Sequence, residues 1–164
     1  LWDRLSKMGG DILVKTLKLI EEGKAPREQQ GEKFSMAPML KKEMAQIDWE
    51  NQTVTQIHNL VRGLNPIMGA YTFLEGKKLK FWKVKALTNE KFLQEYEEMK
   101  EYDYKLAEMM EGTILLAEER KGLYIKAKEG ILQVIEIQGE NAKKMQVSDF
   151  LRGTKVMAGT VLGM

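Results

Sequence analysis

Residues 47–87 decide the fold of this chain, with the sequence IDWENQTVTQIHNLVRGLNPIMGAYTFLEGKKLKFWKVKAL. Asp48 is a good helix N-cap residue, and apolar residues follow it at spacings of three and four: Val54, Ile57, Val61 and Leu64. Asn65-Pro66 ends the helix, because proline disfavours helical geometry in the residue before it. Residues 70–74 and 78–87 then read as strands around a tight Glu-Gly-Lys turn. We therefore predict a helix followed by a β-hairpin.

The second strand of this hairpin changes phase in its middle. Leu79 and Phe81 alternate with lysines, but Trp82 and Val84 then take the apolar positions. Because a strand has a period of two, such a slip turns the apolar face outward unless an extra residue absorbs it. We predict a β-bulge near Phe81-Trp82, with Trp82 pointing inward beside Leu79 and Phe81. The bulge leaves four lysines on one outer face, called here the lysine face: Lys78, Lys80, Lys83 and Lys85.

Two interpretations of the lysine face remain open. Lysines on an edge strand keep it solvated and prevent edge-to-edge aggregation. A row of lysines on a rigid strand also offers a cationic surface to a polyanion. On charge alone, the solvated edge strand is the preferred interpretation.

Short motifs along the chain occur in the order of a known family. They are Asp48-Trp49, VRGLNPIMGAY at 61–71 and KFWK at 80–83, with APMLKKE at 37–43 upstream and Lys144-Met145 and FLRG at 150–153 downstream. Together they resemble methionyl-tRNA formyltransferase, over nearly the whole chain but over only the last half of the family's sequence. The chain departs from the family pattern at Ile67-Met68, where Trp-Pro is usual, and at Met39, where a linker lysine is common.

The resemblance implies a division into three segments. Residues 1–24 correspond to the last helix of the family's catalytic domain, 25–47 to its linker, and 48–164 to its C-terminal tRNA-binding, OB-like barrel. The start at Leu1, without an initiator Met, agrees with a fragment. We expect the first helix, without the sheet it would pack on, to lie against the barrel or a neighbouring molecule.

The resemblance also implies an activity for the parent enzyme, which is expected in the cytoplasm. It transfers a formyl group from 10-formyltetrahydrofolate to the amino group of methionyl-initiator tRNA in translation initiation. The family's catalytic residues lie in its N-terminal domain, and those motif positions are missing from this chain. We therefore expect this chain to be inactive alone, to bind no cofactor, and to partner the missing catalytic domain.

Composition excludes several other functions. The 164 residues contain no cysteine, which excludes disulfides, thiolate metal sites and cysteine nucleophiles. His58 is the one histidine, and no serine or acid at a suggestive spacing makes it catalytic, so we predict a helix-surface or boundary residue. A mean hydropathy of −0.39 and the lack of a long apolar run exclude a membrane span.

Charge is distributed unevenly along the chain. The net charge is +2, but residues 89–111 hold eight acids and three bases, a net of −5. The remainder therefore carries +7. Basic character is partly masked by one acidic segment, which we do not expect to face tRNA.

Two segments have the apolar periodicity of amphipathic helices. One is residues 1–24, which end near Gly23, and the other is 89–111, which looks like an insertion relative to the family. For 89–111, packing over a barrel rim is the preferred interpretation, and contact with a partner or a second copy is the alternative. Self-association through 1–24 is a further expectation.

Residues 112–138 read as a meander of three strands, at 113–117, 123–128 and 131–138. The middle strand alternates and is expected to be half-buried, while the last is apolar on both faces and is expected to be central or closing. A short helix at 148–152, capped by Ser148, follows. Five antiparallel strands hide their edges by closing into a barrel. We therefore predict a mainly β fold with helices, built on a small OB-like antiparallel barrel.

Lysines and arginines on a rigid barrel meet phosphates and fix register without reading bases. The predicted contacts to the phosphate backbone of initiator tRNA are the lysine face and six neighbours: Lys41, Lys42, Arg62, Lys143, Lys144 and Arg152. Lys41 and Lys42 also fit solvated linker charges, and Arg62 also fits a tie between the helix end and Asp48 or carbonyl groups. No catalytic, cofactor or metal-binding residue is predicted.

Two rival functions remain open. One is a formyltransferase acting on another substrate, such as a sugar nucleotide, because related enzymes carry a similar C-terminal domain. The other is a purely structural or oligomerising module, supported only by the helix at 89–111.

Overall fold

The computed structural model describes residues 1–29, 31–96 and 106–163. It divides into two compact units, residues 1–39 and residues 40–164. The first unit contains helix α1, Trp2–Glu21, followed by an extended segment. No residue of α1 is buried, and Leu5, Ile12 and Leu17 on its apolar stripe are each more than half exposed. Within the described residues, no helix has the length and apolar character needed to cross a membrane.

The second unit is built on an antiparallel sheet. Its strands are β1 (Ala70–Leu74), β2 (Lys77–Leu87), β3 (Ile114–Glu118), β4 (Gly122–Ala127), β5 (Gly130–Gly139) and β6 (Met145–Gln146). They are ordered β1-β2-β5-β4-β3, with β6 beside β5. In the described residues, a 3₁₀ helix (Lys42–Ala45) and three helices accompany the sheet: α2 (Val54–Leu64), α3 (Asn89–Glu95) and α4 (Val147–Gly153). The predicted class, mainly β with helices, is confirmed, and β5 is central as expected.

The sheet does not close into the predicted barrel. Strands β1 and β3 form its two edges, and in the described part of the chain the C-terminal tail lies between them. Gly163 N–H donates to the Phe73 carbonyl at 2.9 Å, and Ile114 N–H donates to the Thr160 carbonyl at 2.8 Å. Because the tail satisfies backbone groups at both edges, direct pairing of β1 with β3 is not needed.

Helix α2 has the predicted apolar face but a different cap. Val54, Ile57, Val61 and Leu64 are buried, and the helix ends before the cis Asn65-Pro66 peptide. Thr53, rather than Asp48, is the N-cap: its hydroxyl accepts from Gln56 N–H, and the Gln56 side chain accepts from Thr53 N–H at 2.8 Å. Hydrogen bonds from Asn51 hold Asp48 in the preceding turn and lower the pKa of its carboxyl group. The predicted cap at Asp48 is therefore wrong.

The bulge predicted in β2 is present. Phe81 lies opposite Ile137 and Val84 lies opposite Val134, while the register shifts between them. On both strands the alternation of buried and exposed residues shifts by one at this point. Successive buried residues are three positions apart rather than two: Phe81 and Val84 on β2, and Val134 and Ile137 on β5. The register is therefore the same on both sides of the bulge, and each strand keeps its apolar residues in the core.

The core lies between α2 and one face of the sheet. Trp49 packs edge-on against Phe81 with ring centroids 6.4 Å apart, and its indole N–H donates to the Thr72 hydroxyl at 2.9 Å. This contact anchors the segment before α2 to strand β1.

A second apolar cluster covers the other face of β3, β4 and β5. It contains Phe92 and Leu93 of α3, together with Leu106 and Tyr124. Strand β4 is consequently buried on both faces, including Lys126, so the predicted half-buried strand is wrong. Within the predicted helix at 89–111, residues 97–105 lie outside the described residues, and helix α3 covers only Asn89–Glu95. The described residues of this segment pack on a face of the sheet, rather than over the rim of a barrel.

Helix α4 begins one residue before its predicted start. Its N-cap is Gln146, without a side-chain hydrogen bond, so the predicted cap at Ser148 is wrong. Strand β6, which was not predicted, immediately precedes α4 and pairs with β5 through Met145 and Gln146. Phe150 is the buried residue by which α4 joins the core.

Candidate nucleic-acid interface

Strand β2 places the lysine face on the side of the sheet opposite the core. Leu79, Phe81 and Val84 are buried, whereas Lys83 and Lys85 are exposed. Lys78 and Lys80 are half-buried, because their stems lie along neighbouring side chains. The structure thus gives these four lysines a common outward direction on a rigid strand.

Two aromatic rings lie on the outer side among the lysines. The Lys78 Nζ is 4.1 Å from the ring centroid of Tyr71 on β1. The Lys80 Nζ is 5.8 Å and the Lys144 Nζ 5.7 Å from the ring of Trp82. Cations attract the faces of aromatic rings, so the rings hold the ammonium groups in place.

Trp82 does not point into the core, contrary to the prediction. Its indole N–H donates to the Gln138 Oε1 at 2.9 Å. Gln138 lies opposite Lys80 and beside buried Ile137, so its side chain is on the outer face of the sheet. The bulge takes up the extra residue by turning Trp82 outward. The amphipathic indole therefore lines the interface.

One groove is lined by three of the lysines predicted to contact tRNA phosphates. Lys42, Lys78 and Lys80 line it together with Tyr71, and apolar residues complete its wall: Leu40, Ala45, Ile67 and Met68. Its volume is about 570 Å³, and no carboxylate lines it. This feature is called here the lysine groove. Within the described residues, none of its three lysines forms an ion pair, so their charges are available to an anion.

Other predicted residues extend this surface or lie apart from it. Lys41 is exposed beside Lys42, and Lys143 is exposed in the turn after β5. Lys144 reaches the Trp82 ring but forms an ion pair with Glu136. Within the described residues, the lysines of the groove thus form no ion pair, whereas Lys144 beside β5 is paired with a carboxylate.

Two arginines of the predicted set have partners within the chain. Arg62 is exposed on α2 and donates to the Asn59 side chain at 3.2 Å, rather than to Asp48. Arg152 contacts Glu119 at 2.7 Å and Asp149 at 3.3 Å, and these carboxylates raise the pKa of its guanidinium group. The positive charge of Arg152 is thus already compensated.

Sequence reasoning missed Tyr71 and Trp82 as members of this surface. Tyr71 lies directly opposite Lys80 in the register, a position that strand alternation and the hairpin turn fix. Its position was therefore available from the sequence. Trp82 was not, because a bulge leaves the direction of the extra residue undetermined.

Two other clefts in the second unit have different chemistry. One is acidic, with Glu43, Asp48, Glu50 and Glu111 around an apolar floor. The other, between the hairpin and α4, mixes Lys77 and Lys155 with Glu140 and Asp149. Because phosphates are repelled by carboxylates, the lysine groove is the cleft best suited to a polyanion.

The chemistry that the lysine groove offers is that of its ammonium groups. His58 is half-buried on α2, and the parts of the chain that the structure describes hold no cluster of three acids or histidines able to bind a metal ion. The lysine groove thus supplies positive charge on a strand of the sheet.

Comparisons with known proteins show which family the chain resembles. Residues 39–155 match the family model described as "Formyl transferase, C-terminal domain". The chain is 41% identical to a methionyl-tRNA formyltransferase of Syntrophus aciditrophicus (strain SB) and 36% identical to one of Caldanaerobacter subterraneus subsp. tengcongensis. Each alignment covers 99% of this chain and 47% of the relative. The chain thus spans about half the length of these curated relatives.

A solved structure has a similar fold. HypX from Aquifex aeolicus, in complex with tetrahydrofolic acid, aligns with a TM-score of 0.52 and 15% identity, over 86% of this chain and 22% of that one. At this identity the similarity supports the architecture alone.

Proposed function

The chain belongs to the formyl transferase family through its C-terminal domain, and on this premise we propose that it holds tRNA for a methionyl-tRNA formyltransferase. The parent enzyme would act in the cytoplasm and use 10-formyltetrahydrofolate as formyl donor. The relatives that the chain matches carry the name of this enzyme, which favours tRNA over a sugar nucleotide as the substrate.

The observation that carries the proposal is the lysine groove. Lys42, Lys78 and Lys80 come from two separate elements and meet there, with no carboxylate in the lining. Lys83 and Lys85 continue the positive surface along β2. A phosphate backbone fits such a strip, because each neutralised phosphate releases condensed counterions and supplies affinity.

The chemistry of formyl transfer would belong to another part of the enzyme. Among the residues that the structure describes, His58 forms no hydrogen bond or ion pair with an acidic side chain. The task of this domain is then positioning. Phosphate contacts fix the register and orientation of the tRNA without reading its sequence.

The test is a titration of labelled tRNA with the 164-residue chain at several salt concentrations. If about three to five phosphates are neutralised, log K should fall against log salt with a slope of roughly −2 to −4. Initiator and elongator tRNAs should bind with similar affinity, because the contacts carry no base information. Alanine at all four positions of the lysine face (Lys78, Lys80, Lys83 and Lys85) should weaken binding and flatten the slope.

A matched control removes the same charge elsewhere on the second unit. Lys91, Arg120, Lys128 and Lys155 are exposed and lie outside the lysine groove. Replacing these four with alanine should reduce the slope much less than the lysine-face variant does. Equal losses in the two variants, or binding indifferent to salt, would leave the lysine face as a solvated edge and favour the structural interpretation.

A further inference from the structure

The lysine groove carries an apolar rim that phosphate binding does not explain. Ile67 is 87% exposed and Leu40 59% exposed, and both line the groove beside half-buried Met68. Single exposed apolar residues are common on protein surfaces. Two exposed apolar residues and a half-buried one that border one cation-lined groove form a contact surface with a defined chemistry.

The turn that carries Ile67 is held in place from several sides. The N–H groups of Ile67, Met68 and Gly69 all point to the Leu64 carbonyl, at 3.1, 3.0 and 3.3 Å. The Asn65 side-chain amide donates to the Trp82 carbonyl at 2.7 Å. These bonds fix the apolar side chain at a defined place beside the lysines.

Gly69 allows the turn to approach the sheet so closely. It is buried with a φ of +66°, and an added Cβ would lie 3.2 Å from the Trp82 ring. A larger residue would be strained in this conformation and would press on the indole. The exposed Ile67 therefore sits at the tip of a turn that is braced against β2. A side chain presented in this way loses little freedom on binding.

We propose that the lysine groove binds an unpaired nucleotide of the RNA, with its base against Ile67 and Leu40 and its phosphates on Lys42, Lys78 and Lys80. This rests on the proposed function, since it specifies which part of an RNA the same surface takes. The lysines require a polyanion, and the apolar rim requires an exposed flat apolar face. A paired base presents no such face to a protein, whereas an unstacked one does.

The test separates the apolar contact from the charge contacts. Two blunt-ended RNA duplexes of equal length and charge are titrated with the whole chain, one fully paired and one with a mismatch that leaves a facing pair of nucleotides unpaired. With Ile67→Ala, binding of the second RNA should weaken about threefold to tenfold, the size of a lost aliphatic contact. The salt slope should not change, because no phosphate contact is removed.

A larger planar group should have the opposite effect. Bases stack on aromatic side chains, so Ile67→Trp should tighten binding of the second RNA, which contains the unpaired nucleotides. Met157→Ala is the control, because it removes an apolar side chain that is 62% exposed and does not line the groove. It should leave the affinity for both RNAs unchanged. Thermal unfolding of each variant confirms that the fold is kept. The substitutions at Ile67 are not expected to disturb it, because that side chain makes little buried contact.

The outcomes distinguish this inference from the proposed function. If neither RNA binds, the proposed function fails, and the inference fails with it. If both RNAs bind with a normal salt slope and Ile67→Ala changes nothing, only the inference is overturned. An equal loss for both duplexes would also overturn it, because the contact would then not depend on an unpaired nucleotide.

Discussion

At the scale of single residues, the most connected side chain of the second cluster is Tyr124. It is fully buried, and its hydroxyl accepts from the Gln133 side chain at 2.7 Å and bonds the Tyr96 hydroxyl at 2.8 Å. Tyr96 in turn donates to the Lys121 carbonyl at 3.0 Å. Burial, and then the bond with Tyr96, raises the pKa of Tyr124. This chain of hydrogen bonds ties the end of the α3 segment to the β4–β5 pair.

Tyr124→Phe should lower the free energy of unfolding by about 1–2 kcal/mol, because Gln133 and Tyr96 lose a partner. The raised pKa adds a pH dependence. Since the folded pKa lies above the unfolded value of about 10, the folded state holds this proton more tightly, and wild-type stability should fall as the pH rises beyond that value. The phenylalanine variant should lose stability less steeply there. Urea unfolding between neutral and alkaline pH measures both effects.

Tyr71→Phe is the control for this prediction. The Tyr71 hydroxyl donates a long hydrogen bond of 3.3 Å to the Gln46 side chain, on the half-buried outer side of β1. Its removal should change stability at neutral pH by less than the Tyr124 substitution does, because no buried group is left unpaired. If Tyr124→Phe keeps the full alkaline loss of the wild type, then burial of this hydroxyl is not the cause of that loss.

At the scale of elements, the meeting of α2, β2 and the β4–β5 turn depends on Gly130. A Cβ at this position would lie 2.5 Å from the Leu87 carbonyl oxygen and 2.9 Å from the Val54 Cγ1. Val54 N–H donates to the Lys128 carbonyl at 2.8 Å, so the turn and the start of the helix are joined here. The close approach has no room for a side chain.

Gly130→Ala should therefore lower the free energy of unfolding by about 2–3 kcal/mol, since one of three elements must move away. Gly63→Ala provides the contrast within α2. Nothing lies within 4 Å of a Cβ at Gly63, which is exposed in the last turn of the helix. Because alanine is the better helix former, this variant should be more stable by about 0.5–1 kcal/mol. Urea unfolding of the two variants gives the comparison, and a small loss at Gly130 would show that the turn can shift without cost.

The sequence predicted elements well where local periodicity dominates. The face of α2, the β1–β2 hairpin and the bulge in β2 follow from spacings within one segment. The cap of α2 was mispredicted because Asp48 and Thr53 are both good capping residues, and only the backbone shows that Thr53 directly precedes the helix while Asp48 accepts from Asn51 N–H in the turn before it. Strand β4 was mispredicted because the residues that cover its outer face come from distant positions.

At the scale of the whole molecule, distant segments make the features that the sequence left undetermined. The C-terminal tail between β1 and β3 replaces the barrel closure, and no local pattern shows where a tail will dock. The lysine groove joins Lys42 of the 3₁₀ helix to Lys78 and Lys80 of β2. The sequence and the family resemblance named these lysines, but only the packing shows that Arg152 is paired with Glu119 while, within the described residues, the groove lysines form no ion pair.

The last prediction concerns the chain as a whole. Mixed with 10-formyltetrahydrofolate and methionylated initiator tRNA, it should form no formyl-methionyl product, because under the proposed function its task is to hold tRNA while another part of the enzyme carries out the transfer. It should nevertheless inhibit a full-length methionyl-tRNA formyltransferase when present above its own dissociation constant for tRNA, by sequestering the substrate. The assay follows formylated tRNA at rising chain concentration. Added salt should relieve the inhibition, because counterion release weakens the complex.

The lysine-face variant described above is the control for this assay, and it should inhibit much less than the unchanged chain at the same concentration. Raising the tRNA concentration should restore the rate of the full-length enzyme, since the inhibition acts on free substrate. Turnover by the chain alone that survives repurification would overthrow the positioning role. Inhibition that excess tRNA does not relieve would instead mean that the chain contacts the enzyme itself, and the exposed stripe of α1 would then be the surface to examine.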